Sequence, residues 1–147
     1  MKKLALATVL LATLLIGGQA LAMHHSIVGG FRGGAAFGMG SEYHFTQSIA
    51  LRFGVEGTTG NNPLILSLGG HFFNIQPTPG ILTPWFVGLG VVSYSGNNST
   101  AGGSASIIYD PLERTNPFFA EAGIDLVGSP RIMAQVGYYI VSDAQWQ

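Results

Sequence analysis

Ile49-Ala50-Leu51-Arg52-Phe53-Gly54-Val55-Glu56 puts every apolar side chain on one face and every small or charged one on the other. Ile49, Leu51, Phe53 and Val55 oppose Ala50, Arg52, Gly54 and Glu56. Successive side chains point to opposite faces only in extended chain, so this period of two specifies a strand with two different surroundings. The pattern spreads outward. In Ala35 to Phe45, Phe37, Met39, Tyr43 and Phe45 oppose Gly38, Gly40, Glu42 and His44. Leu64, Leu66, Leu68 and Phe72 oppose Ser67, Gly69 and His71, and Trp85, Val87, Leu89 and Val91 oppose Gly88, Gly90 and Tyr94. Phe118, Ala120, Ala122, Ile124 and Leu126 oppose Glu121, Gly123 and Asp125. Ile132, Ala134, Val136, Tyr138 and Ile140 oppose Gln135, Gly137 and Tyr139.

Which face points inward decides the class. A soluble barrel that binds an apolar ligand would turn the apolar face in and need a charged exterior. The second faces here hold glycine and scattered single charges, and charged residues make up only 9% of the chain, against about 25% in an ordinary soluble domain. A transmembrane barrel turns the apolar face to lipid, and its lumen-side glycines relieve crowding. The expected fold is therefore all-β, a closed antiparallel up-and-down transmembrane β-barrel, with the soluble apolar-ligand barrel as an alternative.

The start of the chain fits export. Met1-Lys2-Lys3 is basic, Leu4 to Ile16 is apolar, and Ala20-Leu21-Ala22 is an A-x-A site, the three parts of a secretory signal peptide. Residues 1–22 are expected to be removed. The apolar run falls short of the roughly 20 residues that a spanning helix needs. Removing 22 of 147 residues leaves 125, one domain at 23–147. Lys2 and Lys3 leave with the signal, so four arginines face seven carboxylates and no basic footprint for nucleic acid remains. Without cysteine there is no disulfide framework. The expected location is the outer membrane of a Gram-negative bacterium.

Turn-rich segments separate the strands: Gly33-Gly34, Thr46-Gln47-Ser48, Gly57 to Pro63, Asn74 to Thr83, Ser95 to Gly103, Asp110 to Asn116 and Gly128-Ser129-Pro130. Ser95 to Gly103 reads as a polar, flexible extracellular loop. An ungapped internal match at an offset of 83 residues aligns Gly40-Ser41-Glu42-Tyr43 with Gly123-Ile124-Asp125-Leu126 and Arg52-Phe53-Gly54 with Gln135-Val136-Gly137. It suggests two hairpins built alike. Matched turns on one side of the membrane would exclude a strand at Ser104 to Asp110. Including that strand, with Ser26 to Arg32 as the first, gives the even total of eight that a closed bacterial barrel requires, and eight is the expectation.

The hairpin Gly38 to Arg52 and the segment Thr83-Pro84-Trp85-Phe86-Val87-Gly88-Leu89-Gly90-Val91 resemble the small outer-membrane barrels, the OmpA-like transmembrane domains and porin-family proteins. The resemblance covers the whole of 23–147 and implies a barrel held in outer-membrane lipid and placed there by the barrel insertion machinery. The chain departs from the family at its end. Gln135 to Ile140 looks like the terminal strand, but Ser142 to Gln147 follow it and Trp146 is penultimate.

The candidate site is a set of lumen-facing polar residues: Glu42, His44, Arg52, Glu56, His71, Glu121 and Asp125. Arg52, with acids on neighbouring strands, is expected to be the hub of an ion-pair network that occludes the lumen, with Arg32 as the one other nearby cation. His44 and His71 are expected to hydrogen-bond a carboxylate or tyrosine. A metal at His24 and His25 is disfavoured, because adjacent strand residues face opposite sides. No cofactor and no catalytic residue is expected. The catalytic alternative is a rim enzyme modifying lipid A, which needs a serine within reach of a histidine. The local candidates, His25-Ser26 and Ser41-x-x-His44, do not supply one, since Ser41 and His44 face opposite sides of a strand. The expected role is non-enzymatic, structural or in surface interaction.

Overall fold

A computed structural model describes residues 23–46, 48–76, 83–111 and 116–142. The expected signal peptide at 1–22, Arg114 and the tail beyond Ser142 lie outside the described residues. Eight strands run in chain order: β1 (Met23–Arg32), β2 (Ala35–Thr46), β3 (Ile49–Thr58), β4 (Leu64–Asn74), β5 (Trp85–Ser95), β6 (Thr100–Tyr109), β7 (Phe118–Val127) and β8 (Ser129–Ser142). Each pairs antiparallel with its neighbours, and β1 pairs with β8, so the sheet is an eight-stranded closed barrel. The strands run from 10 to 14 residues, long enough to reach the roughly 9–11 tilted residues a hydrocarbon layer would require.

The two ends differ. Met23 and Ser142 lie at one rim, called here the terminal rim, with the connections 75–84 and 110–117. The opposite turn rim carries only tight connections. Gly33 and Gly128 adopt φ of 68° and 72° there, a left-handed backbone that glycine enters without steric cost. A Cβ on Gly34 would stand 2.8 Å from the backbone nitrogen of Gly60, so two turn tips touch backbone to backbone.

The outer face is the apolar face of the sequence pattern. Phe37, Met39, Val91, Leu126, Ile132 and Val136 are among the exposed large hydrophobic residues. Aromatic side chains concentrate near the terminal rim, where Tyr43–Phe45, Trp85–Tyr109 and Phe118–Tyr138 form edge-on pairs with ring centroids 4.8 to 5.1 Å apart.

Four expectations change. β6 begins at Thr100 rather than Ser104, and the loop expected over Ser95 to Gly103 shrinks to 96–99. Thr100-Ala101-Gly102-Gly103 has no alternation to betray it, yet Val92 and Ser93 pair with Gly102 and Ala101, and Leu126 with Gly103. β1 starts at Met23, not Ser26. The internal match does not mark two equivalent hairpins: the β2–β3 turn lies at the terminal rim and the β7–β8 turn at the turn rim. An odd number of intervening strands puts them at opposite ends, which is why the match and the eighth strand coexist. Finally, the second face is not uniformly small or polar. Ile65, Phe86, Val92, Ile108, Phe119 and Val127 are buried inside the barrel, since a narrow lumen is filled by side chains of whatever kind fits.

Candidate functional site

The lumen holds two separate layers of charge. Toward the turn rim, Arg32 at the end of β1 donates from Nε and Nη2 to the two carboxylate oxygens of Asp125, at 2.8 and 3.1 Å. Its Nη1 donates to Glu56 at 2.6 Å. Tyr94 Oη donates to Asp125 at 2.6 Å, and Gln135 donates to Glu56. Every member is buried, and Asp125 has no exposed surface. The Arg131 guanidinium lies 4.3 Å from the centroid of the Tyr94 ring, on the mouth side.

Toward the terminal rim, Arg52 is the second hub. Its Nε lies 2.5 Å from Glu42 and its Nη1 donates to Glu121 at 3.1 Å. Ser106 donates to the other oxygen of Glu121 at 2.6 Å. The Arg52 guanidinium rests 4.6 Å over the Phe119 ring. Phe119 in turn lies across Gly137, its partner on β8, where a Cβ would run into the ring. His44 Nε2 stands 2.6 Å from Glu42. Both contacts to Glu42 are close in distance but lack hydrogen-bond alignment; the one from Arg52 is an ion pair, and the one from His44 becomes one when His44 is protonated.

The expected single hub is therefore corrected. Arg52 does not reach Glu56, although the two share a strand face at a spacing of four; Glu56 and Asp125 belong to Arg32. His71 departs from expectation too. It is 1% exposed, stacks on Phe86 with centroids 4.4 Å apart, and neither ring nitrogen has a hydrogen-bond partner among the described residues. Arg32, expected only as the one other nearby cation, shares the phase of the buried Ser26 on β1 and is the hub of its own layer. Tyr94, Ser106 and Phe119 join the layers only through cross-barrel register.

Between the layers is a cavity of about 80 Å³, bordered by small residues such as Ser26, Gly40, Gly54, Ser67 and Gly90. Ligand pockets begin near 300 Å³, so this space suits solvent rather than a solute. At the terminal-rim mouth, just past β6, the Asp110 carboxyl accepts from Tyr139 Oη at 3.0 Å. Burial, reinforced by the charge of Glu42, pushes its pKa up to about 6.

His24 and His25 diverge as adjacent strand residues must. The His24 ring meets His44 inside, at 5.1 Å between centroids, whereas His25 Nδ1 hydrogen-bonds Ser41 Oγ at 2.9 Å on the outer face. The architecture defines a closed eight-stranded barrel with a charged interior and an apolar exterior. Compared with family models, curated proteins and solved structures, the chain matches none of them.

Proposed function

We propose that the chain is an outer-membrane barrel of the OmpA-like type, exported by its signal peptide, with a closed lumen and a structural or surface-interaction role. One observation carries the membrane part: among the described residues, no outward-facing strand position holds a charged side chain. Arg32, Glu42, Arg52, Glu56, Glu121, Asp125 and Arg131 all occupy the inward phase of their strands. A soluble protein exposing this many large apolar groups would associate through them, whereas lipid satisfies them. The aromatic pairs near the terminal rim suit a membrane–water interface. The two ion-paired layers and the small cavity between them favour a plug over a pore. Outer-membrane lipid and the insertion machinery are the partners this reading requires.

Fractionation with heat-modifiable gel migration tests the location, and N-terminal sequencing tests cleavage after Ala22. Recovery of the mature chain in soluble form without detergent would refute the membrane reading.

The His25–Ser41 contact favours a second reading, a rim enzyme acting on a lipid ester. Ser41 would attack the ester carbonyl while His25 takes its proton and passes it to the departing alcohol, leaving an acyl-serine for water to release. Among the described residues no carboxylate or amide is bonded to His25 to orient it. Mass spectrometry of membrane lipids from cells making the wild-type or Ser41→Ala protein separates the two readings: identical lipids support the structural one.

A further inference from the structure

We propose that Glu42, His44 and His71 form a binding site for a divalent transition metal of the zinc type at the terminal-rim mouth of the lumen. One ligand atom from each of the three lies within 4.8 Å of the others. The register creates this meeting. His44 on β2 and His71 on β4 both pair with Ala50 on β3, and the methyl group of Ala50 is too short to separate the imidazoles, whose centroids are 5.4 Å apart. Glu42 is two residues from His44 on the same face.

The second observation is His71 itself. A buried imidazole with both nitrogens lacking partners calls for an explanation, and a lone pair directed at a cation supplies one. Two imidazoles and one carboxylate form a donor set suited to a borderline-soft ion; calcium and magnesium take all-oxygen shells. Bonds of about 2.0–2.2 Å would draw the ligand atoms to within about 3.5 Å of each other in a tetrahedron, a contraction that side-chain rotation can provide. The surroundings resemble an outer ligand shell, in which secondary contacts fix the ligands. Arg52 holds the second oxygen of Glu42, Phe86 fixes the His71 ring plane, and Glu121 shares the Arg52 charge.

The test is zinc titration calorimetry on the full protein, purified in detergent from whichever fraction holds it and stripped with chelator. One saturable zinc per chain is expected. His71→Phe keeps the stacking on Phe86 and removes two orphaned nitrogens, so the metal-free variant should match or exceed wild-type thermal stability. Its zinc affinity should fall at least about tenfold, the usual scale for disturbing a metal shell. His44→Gln, at a partly exposed position, should lower affinity similarly and decides the matter if His71→Phe does not fold. His25→Ala should leave zinc binding unchanged. Absence of saturable binding in wild type, wild-type affinity retained in both lumen variants, or loss of binding with His25→Ala alone would overturn the proposal.

Discussion

Replacing Arg32 with methionine removes the one cation between Glu56 and Asp125 and leaves the methylene stem in place. Both acids are buried and lie within 3.1 Å of the guanidinium. Removing one partner of a buried pair typically costs about 3–5 kcal/mol, because the other charge stays desolvated. Here two carboxylates are stranded; Tyr94 and Gln135 still donate to them, which holds the expected loss within that range. The comparison is Arg131→Met, where a partly exposed guanidinium over the Tyr94 ring contributes about 0.5–1 kcal/mol. Equilibrium urea unfolding in detergent or thin-bilayer vesicles reads the difference. With slopes of about 1–3 kcal/mol per molar urea, Arg32→Met should unfold at least about 1 M earlier than wild type. Adding Asp125→Asn should recover part of the loss, since it neutralises the more deeply buried acid. Equal midpoints for Arg32→Met and Arg131→Met would show that the turn-side layer does not hold the barrel together.

Three further outcomes follow from other parts of the fold. Leu68, whose neighbours Phe53 and Val91 mark the middle of the wall, should lose about 2–4 kcal/mol on Leu68→Arg. On the proposed membrane reading, Leu51→Arg, beside Tyr43 and nearer the terminal rim, should lose at most about 1 kcal/mol; urea unfolding in vesicles compares them, and equal losses would contradict that depth. Gly137→Val must displace the Phe119 ring that supports Arg52, an overpacking worth about 1–3 kcal/mol, visible as a lower melting temperature. For Asp110 the folded pKa, about 6, lies above the ordinary value of 3.8. The folded state therefore holds the proton more tightly, and stability falls as pH rises from about 4 to about 6. Asp110→Asn should be more stable than wild type above pH 6, with the advantage vanishing by pH 4, as followed by melting temperature against pH.

The wall of the barrel was legible because its outward residues are so one-sided; Ile49 to Glu56 alone fixes both strand and facing. β6 was half legible, since Ser104 and Ser106 alternate with Ala105 and Ile107 while Thr100 to Gly103 offer only small side chains. The charged lumen residues could be named from phase, and Arg52 could be paired with acids on neighbouring strands such as Glu42, but Glu56 and Asp125 could not be assigned to Arg32. Arg32 and Asp125 are 93 positions apart and Arg52 and Glu121 are 69 apart, and facing across a closed barrel depends on stagger that no local pattern encodes. Large residues at Ile65, Phe86 and Phe119 point inward because the lumen needs filling, a demand that hydrophobicity cannot distinguish from contact with lipid. The meeting of His44 with His71 was hidden for a related reason: it depends on both pairing with Ala50.

The β1–β8 ladder, from His24 opposite Ser142 to Arg32 opposite Met133, also sets a schedule. The first strand to be made pairs with the last, so the longest-range contact in the chain is the one that completes the structure. Closing so large a loop adds little to the equilibrium cost, about 0.6 kcal/mol per doubling of length, but it must wait for everything between. Until then the chain is an open sheet with two unpaired edges, each able to recruit a foreign strand. A cell making this protein has to keep those edges apart from other edges for as long as β8 is missing.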